Sequence, residues 1–181
     1  MEQLFAPWRI EWVTREKPPE EADECVFCTF IDASPEDRSR LVVARMDAAY
    51  VLLNNYPYNP GHLLVIPHTH TGELHSLDGP ARDAFETLTY RSIEALESAF
   101  DPDGFNTGCN LGSAVAGGSI GDHVHRHIVP RWSGDTNFMP IIGGTKVLVQ
   151  ALEDTYDALY EAFAAQPGAD TVATGGVRIE E

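Results

Sequence analysis

The chain has 181 residues, 28 of them acidic and 12 basic, for a formal net charge of −16. That length fits one domain with a real core. No apolar run approaches the ~18 residues of a membrane span, and so acidic a surface repels nucleic-acid backbones. Three cysteines, an odd number, argue against a disulfide framework. The start, Met1 to Trp8, has no basic region and no apolar signal core, so a cytoplasmic location is expected. Lys17 and Lys146 are the only lysines. An acid-rich, lysine-poor surface suits a salty cytoplasm, where charge is screened over a few ångströms, and predicts a halophilic source.

Residues 1–24 carry Trp8 and Trp12 one helical turn apart, then a run of charge with Pro18 and Pro19, and read as a packing segment and linker. Cys25 to Ala33 reads as a short helical knuckle. Residues 41–44 and 50–53 are predicted strands joined by a turn near Asp47. Asn54 to Gly61 is turn chemistry, because Pro fixes φ and Asn and Gly tolerate φ > 0. Residues 62–67 are the next strand. Helical periodicity runs over 78–100, with Phe85, Leu88, Ser92, Leu96 and Ala99 on one face and Asp101-Pro102-Asp103-Gly104 as the stop. Residues 105–111 form a strand and 112–121 a Gly-rich loop. A second helix is expected over 146–164, with Leu148, Leu152, Tyr156, Leu159 and Phe163 in register. The Gly- and Thr-rich segment 166–181 reads as a flexible tail outside a domain of residues 25–165. Strands joined by short turns suggest an antiparallel meander, and two helices covering it give an α+β fold.

The densest chemistry lies at His123, His125 and His127, which alternate with Val124 and Arg126. On a strand that alternation puts three imidazoles on one face, with Pro130 expected to end the ladder for want of an N–H. Strand rise separates His123 and His127 by ~13 Å at Cα, too far for one ion to take all three easily. At least one imidazole is therefore left for chemistry. Cys25-Val26-Phe27-Cys28 is a C-x₂-C pair that suits half of a tetrahedral zinc site, or two reduced core cysteines. Composition does not choose the further ligands among His68, His70 and His75.

His123, His125, His127, Ile128 and Val129 resemble the signature of the histidine triad (HIT) family, His-x-His-x-His followed by two apolar residues. The resemblance spans about residues 25–146. It implies a HIT-like fold with a five-stranded antiparallel meander sheet, usually assembled as a homodimer. It further implies zinc on Cys25, Cys28, His70 and His123, in a closed structural site. His125 would attack the α-phosphorus of a nucleotide to form a nucleotidyl-histidine, and His127 would hydrogen-bond the phosphate or leaving group. A neutral imidazole suits that task near pH 7, provided its other nitrogen is held by an acceptor. Asn54 matches a ribose contact and Asn110 a phosphate-side contact, although either can equally cap a turn. Gly118 and Ser119 can turn backbone N–H groups to an anion. The loop departs from the usual Gly-Gln-Ser/Thr and is similar to the dinucleoside tetraphosphate phosphorylase-like branch, as are Pro130-Arg131-Trp132 and Ile141-Ile142-Gly143-Gly144. The expected activity is cleavage of dinucleoside polyphosphates such as diadenosine tetraphosphate, by phosphate or by water. The rivals are a nucleoside phosphoramidase and a non-catalytic nucleotide sensor.

Overall fold

Apolar runs between turn signals build the centre of the sheet. The computed structural model describes residues 25–32, 36–112, 122–135, 150–171 and 176–180. The 1–24 segment, most of the Gly-rich loop with Gly118 and Ser119, and residues 136–149 lie outside the described residues. β1 (Val42–Arg45), β2 (Ala49–Leu53) and β3 (Leu63–Pro67) are antiparallel neighbours, and every residue in them is buried. Alternation still sorts the two faces. Ala49, Val51, Leu53, Leu63 and Val65 join the main core, while Tyr50, Leu52, Leu64 and Ile66 join a second cluster with Phe27. A sheet covered on both faces reads as continuous apolar runs, as these strands do.

Helix α1 (Gly79–Phe100) begins at Asp78, whose carboxylate accepts the Ala81 N–H at 2.9 Å, with Pro80 in the first turn. Phe85, Leu88, Ser92 and Leu96 are buried on the predicted face, and Asp101 ends the helix in the left-handed region. β4 (Gly104–Cys109) and β5 (Arg126–Arg131) then pair antiparallel. Helix α2 (Leu152–Ala164) buries Tyr156, Leu159 and Phe163. Its N-cap, Ala151, is extended, which breaks the helix expected over 146–164; residues 146–149 of that span lie outside the described residues.

The sheet differs from a five-stranded antiparallel meander. Among the described residues it has seven strands in the order β4-β5-β3-β2-β1-β7-β6, and β7 runs parallel to β1. The meander ends at β3. α1 carries the chain across one face, so β4 lands outside β5 and β5 pairs with β3. The segment read as a flexible tail supplies β6 (Ala169–Thr171) and β7 (Val177–Ile179). Val177 and Ile179 join the main core, and the two strands pair with each other. No helix among the described residues is long and apolar enough to cross a membrane.

Candidate functional site

The triad histidines keep their alternation, but only His127 is in a strand. β5 begins at Arg126, so His123 and His125 precede it. The ladder between β3 and β5 runs from Leu63↔Ile128 to Val65↔Arg126. Pro67 has no N–H to extend it, and its carbonyl instead accepts Nε2–H of His123 at 2.8 Å. Pro130 does not end β5, which pairs with β4 as far as Arg131. On a strand the N–H and C=O of one residue point the same way. The Pro130 carbonyl accepts Nδ2–H of Asn59 at 2.9 Å, so the side that lacks a donor faces the 54–61 loop and not β4. Val124 and Ile128 enter the main core. His123 and His125 turn to the opposite face, where the Phe27 ring lies 5.5 and 5.0 Å from theirs.

Cys25, Cys28, His70 and His123 converge, with their ligand atoms all within 4.8 Å of one another. His123 Nδ1 lies 3.4 Å from Cys25 Sγ and 3.6 Å from Cys28 Sγ, and His70 Nδ1 lies 3.3 Å from Cys28 Sγ. A tetrahedral ion with bonds of about 2.3 Å to sulfur and about 2.0 Å to nitrogen holds such atoms about 3.5 Å apart. The cluster therefore fits a metal ion. Outer partners orient both imidazoles: His123 gives its other proton to Pro67, and His70 Nε2 faces the Asp122 carboxylate at 3.6 Å. Burial lowers the His123 pKa, which keeps the ring neutral and able to ligate. Of the three histidines left open by composition, His70 is the one at the cluster. His75 is exposed beside Glu73, and His68 lies against Tyr50.

The proton positions at the other two triad histidines follow from their partners. His125 Nδ1 is 3.0 Å from the His123 carbonyl, which only accepts. Nδ1 therefore carries the proton, and Nε2 presents a lone pair. Burial lowers the His125 pKa and favours that neutral form. His62, fully buried at the start of β3, accepts the Tyr58 backbone N–H on Nδ1 at 3.1 Å. Its proton is thus on Nε2, which donates to His127 Nδ1 at 2.9 Å. A neutral His127 must then carry its proton on Nε2. The Tyr58 ring stacks on His127, 6.0 Å between centroids and 15° between planes.

Asn54 Oδ1 accepts the Tyr56 N–H at 2.9 Å, a turn-capping bond, while Nδ2 lies 3.3 Å from His62 Nδ1. Asn110 directly follows β4. The residues that sequence reasoning missed are His62 and Tyr58. The available signal was the Pro60-Gly61-His62 turn, where an imidazole heads a fully apolar strand.

An alternating set of imidazoles running into β5, joined to a Cys₂His₂ cluster, defines a histidine triad protein. The HIT domain profile matches residues 36–134, more than half of the chain, and the chain belongs to the HIT family. It is 40% identical over 171 residues to an AP-4-A phosphorylase of Mycobacterium tuberculosis, an alignment covering 92% of this chain and 87% of that protein. Among solved structures it resembles a zinc-bound histidine triad family protein from Mycobacterium smegmatis, with a TM-score of 0.61 and 26% identity over 78% of this chain and 94% of that one. It also resembles a histidine triad nucleotide-binding protein from Sulfolobus tokodaii, with a TM-score of 0.57 and 26% identity over 77% and 89%.

Proposed function

We propose that the chain is a zinc-containing enzyme that cleaves dinucleoside polyphosphates, such as diadenosine tetraphosphate, through a nucleotidyl-His125 intermediate. The observation that carries this reading is the orientation of His125. Its Nδ1–H is held by the His123 carbonyl, which leaves Nε2 for attack. Similarity to the mycobacterial AP-4-A phosphorylase over 92% of the chain supports the substrate class and favours phosphate as acceptor.

In this reading His125 Nε2 attacks the α-phosphorus. A P–N bond forms, the bond from phosphorus to the bridging oxygen breaks, and a tetraphosphate substrate releases a nucleoside triphosphate. His127 gives its Nε2 proton to the leaving oxygen and recovers one from the attacking acceptor. Phosphate as acceptor yields ADP from an adenylyl intermediate, and water yields AMP. Asn54 contacts the ribose and Asn110 the phosphate side, with backbone N–H groups of Gly118 and Ser119 added from the loop. Two thiolates and two imidazoles suit zinc, and with all four positions filled by protein the ion is structural. The protein works as a cytoplasmic homodimer. β4 supports the dimer, because it is a sheet edge whose Asn106, Thr107 and Gly108 are exposed.

The test is product analysis with diadenosine tetraphosphate, with and without inorganic phosphate. ADP plus ATP, formed only with phosphate, is the expected result. AMP plus ATP without phosphate makes the enzyme a hydrolase. Faster turnover of a nucleoside phosphoramidate makes it a phosphoramidase, and binding with no turnover makes it a sensor. His125→Ala should abolish turnover in a folded protein, and activity within about tenfold of the parent would remove the nucleophile role.

A further inference from the structure

The metal-ligand loop is closed locally by main-chain turns, with the Cys28 N–H on the Cys25 carbonyl at 2.9 Å and the Ile31 N–H on the Cys28 carbonyl at 3.3 Å, and by the Thr29 hydroxyl on the Val26 carbonyl at 2.7 Å. Its single 3-10 turn, Cys28–Phe30, has no side-chain cap and no buried residue. What fixes these turns in place comes from the sheet. The Tyr50 hydroxyl on β2 donates to the Phe27 carbonyl, between the two cysteines, at 2.8 Å. Arg45 on β1 donates from Nη1 to the Phe30 and Ile31 carbonyls at 2.7 and 3.0 Å. Its Nε and Nη2 grip both oxygens of Asp37 at 2.7 Å. The Arg45 guanidinium also lies over the Tyr50 ring, 5.4 Å from its centre.

Both partners of this ion pair are buried, Asp37 fully and Arg45 to 6% exposure. A buried pair pays for desolvation and is weak support for stability in itself. Here it fixes a guanidinium whose remaining donors point at the loop. We propose that Arg45 and Tyr50 are positioning residues that preform the Cys25–Cys28 loop for its metal, so that metal affinity is set partly from β1 and β2. The inference rests on reading the Cys₂His₂ cluster as a zinc site. Without the clamp, the loop must be ordered when the ion binds, and that cost is subtracted from affinity. The clamp spares that cost because it touches three carbonyls around Cys28 and none of the ligand side chains.

The experiment is a competition titration of zinc against a chromophoric chelator, on the full chain stripped of metal. Tyr50→Phe loses one hydrogen bond and should weaken zinc binding about fivefold. Arg45→Lys keeps the charge but loses the fork, and should weaken it more. Tyr156→Phe is the control, since Tyr156 also donates a buried phenol to a backbone carbonyl, that of Val42 at 3.0 Å, which lies on β1 and outside the ligand loop. Its affinity should match the parent's. The melting temperatures of the metal-free variants separate lost affinity from lost stability. Equal affinity in Tyr50→Phe, Arg45→Lys and the parent overturns the clamp, as does an equal loss in Tyr156→Phe. A parent that binds no zinc removes the metal reading, and the clamp with it.

Discussion

One backbone N–H, that of Tyr58, sets the protonation of two imidazoles in sequence. It fixes His62, and His62 fixes His127. His62→Gln should therefore lower kcat about 10- to 100-fold with a smaller change in KM, the scale typical of a partner that orients a functional imidazole. Steady-state kinetics check it, and a kcat within about twofold of the parent would show that His127 keeps its tautomer unaided. Asp135 acts at the same scale from further away. Its carboxylate binds Arg131 and accepts from Asn59 and the Trp132 N–H, tying the end of β5 to the 54–61 loop. The Arg131 hydrogen bond is the main cause that lowers its pKa to about 2. The stabilisation is complete above the ordinary carboxylate value of about 4 and fades as pH falls towards 2. Asp135→Asn should cost about 1 kcal/mol near pH 7, after allowance for solvent screening. The gap in melting temperature to the parent should close between about pH 4 and 2. Alternation made His123, His125 and His127 legible, and C-x₂-C spacing did the same for Cys25 and Cys28. His62 was not legible because one histidine after Pro-Gly reads as the end of a turn. His70 needed the resemblance, since three nearby histidines satisfy the same composition.

The elements came through where their period was long. The 22 residues of α1 carry helical periodicity, an N-cap and a stop. β6 and β7 have three residues each, too few to show a period, and Gly and Thr around them mimic a loop. The break before α2 reflects a different limit: apolar spacing does not show that Ala151, inside the expected helix, is extended. The turn that feeds His62 into β3 was legible as a turn, but its constraint was not. Gly61 has φ +77°, and a Cβ there would meet the Leu96 side chain at 2.9 Å and Phe100 at 3.3 Å. Gly61→Ala should destabilise the fold by about 2 kcal/mol, from left-handed strain plus the clash with α1. The denaturation midpoint should fall with the m-value unchanged.

Across the whole molecule, acid outnumbers base by more than two to one. Several arginines are committed to pairs: Arg38 with Asp157, Arg126 with Glu86, Arg131 with Asp135 and Arg178 with Asp47. The remaining acids repel one another. Salt weakens the exposed pairs, but these are worth only about 0–1 kcal/mol each. It also shortens the repulsion among many like charges, from about 10 Å in 0.1 M salt to about 3 Å in 1 M. The second effect should win. The melting temperature should rise steeply from about 0.1 to about 2 M KCl, and the apparent KM for a polyanionic substrate should fall. A flat melting curve across that range would show an ordinary solvated acidic surface with no salt requirement.

The parallel pairing of β7 with β1 has a kinetic consequence. Ala44 and Val177 are register partners 133 residues apart in the chain. Closing so long a loop is entropically costly, so this contact belongs among the last to form. Until it forms, the outer edge of β1 is open, and Gly176 does not yet lie against Asp37. The folding transition state should lack β7. Val177→Ala should then speed unfolding while leaving the refolding rate nearly unchanged, a pattern that the two arms of a chevron read directly. The lifetime of the folded sheet would then be set by its last strand to dock, at the opposite side of β1 from the histidines.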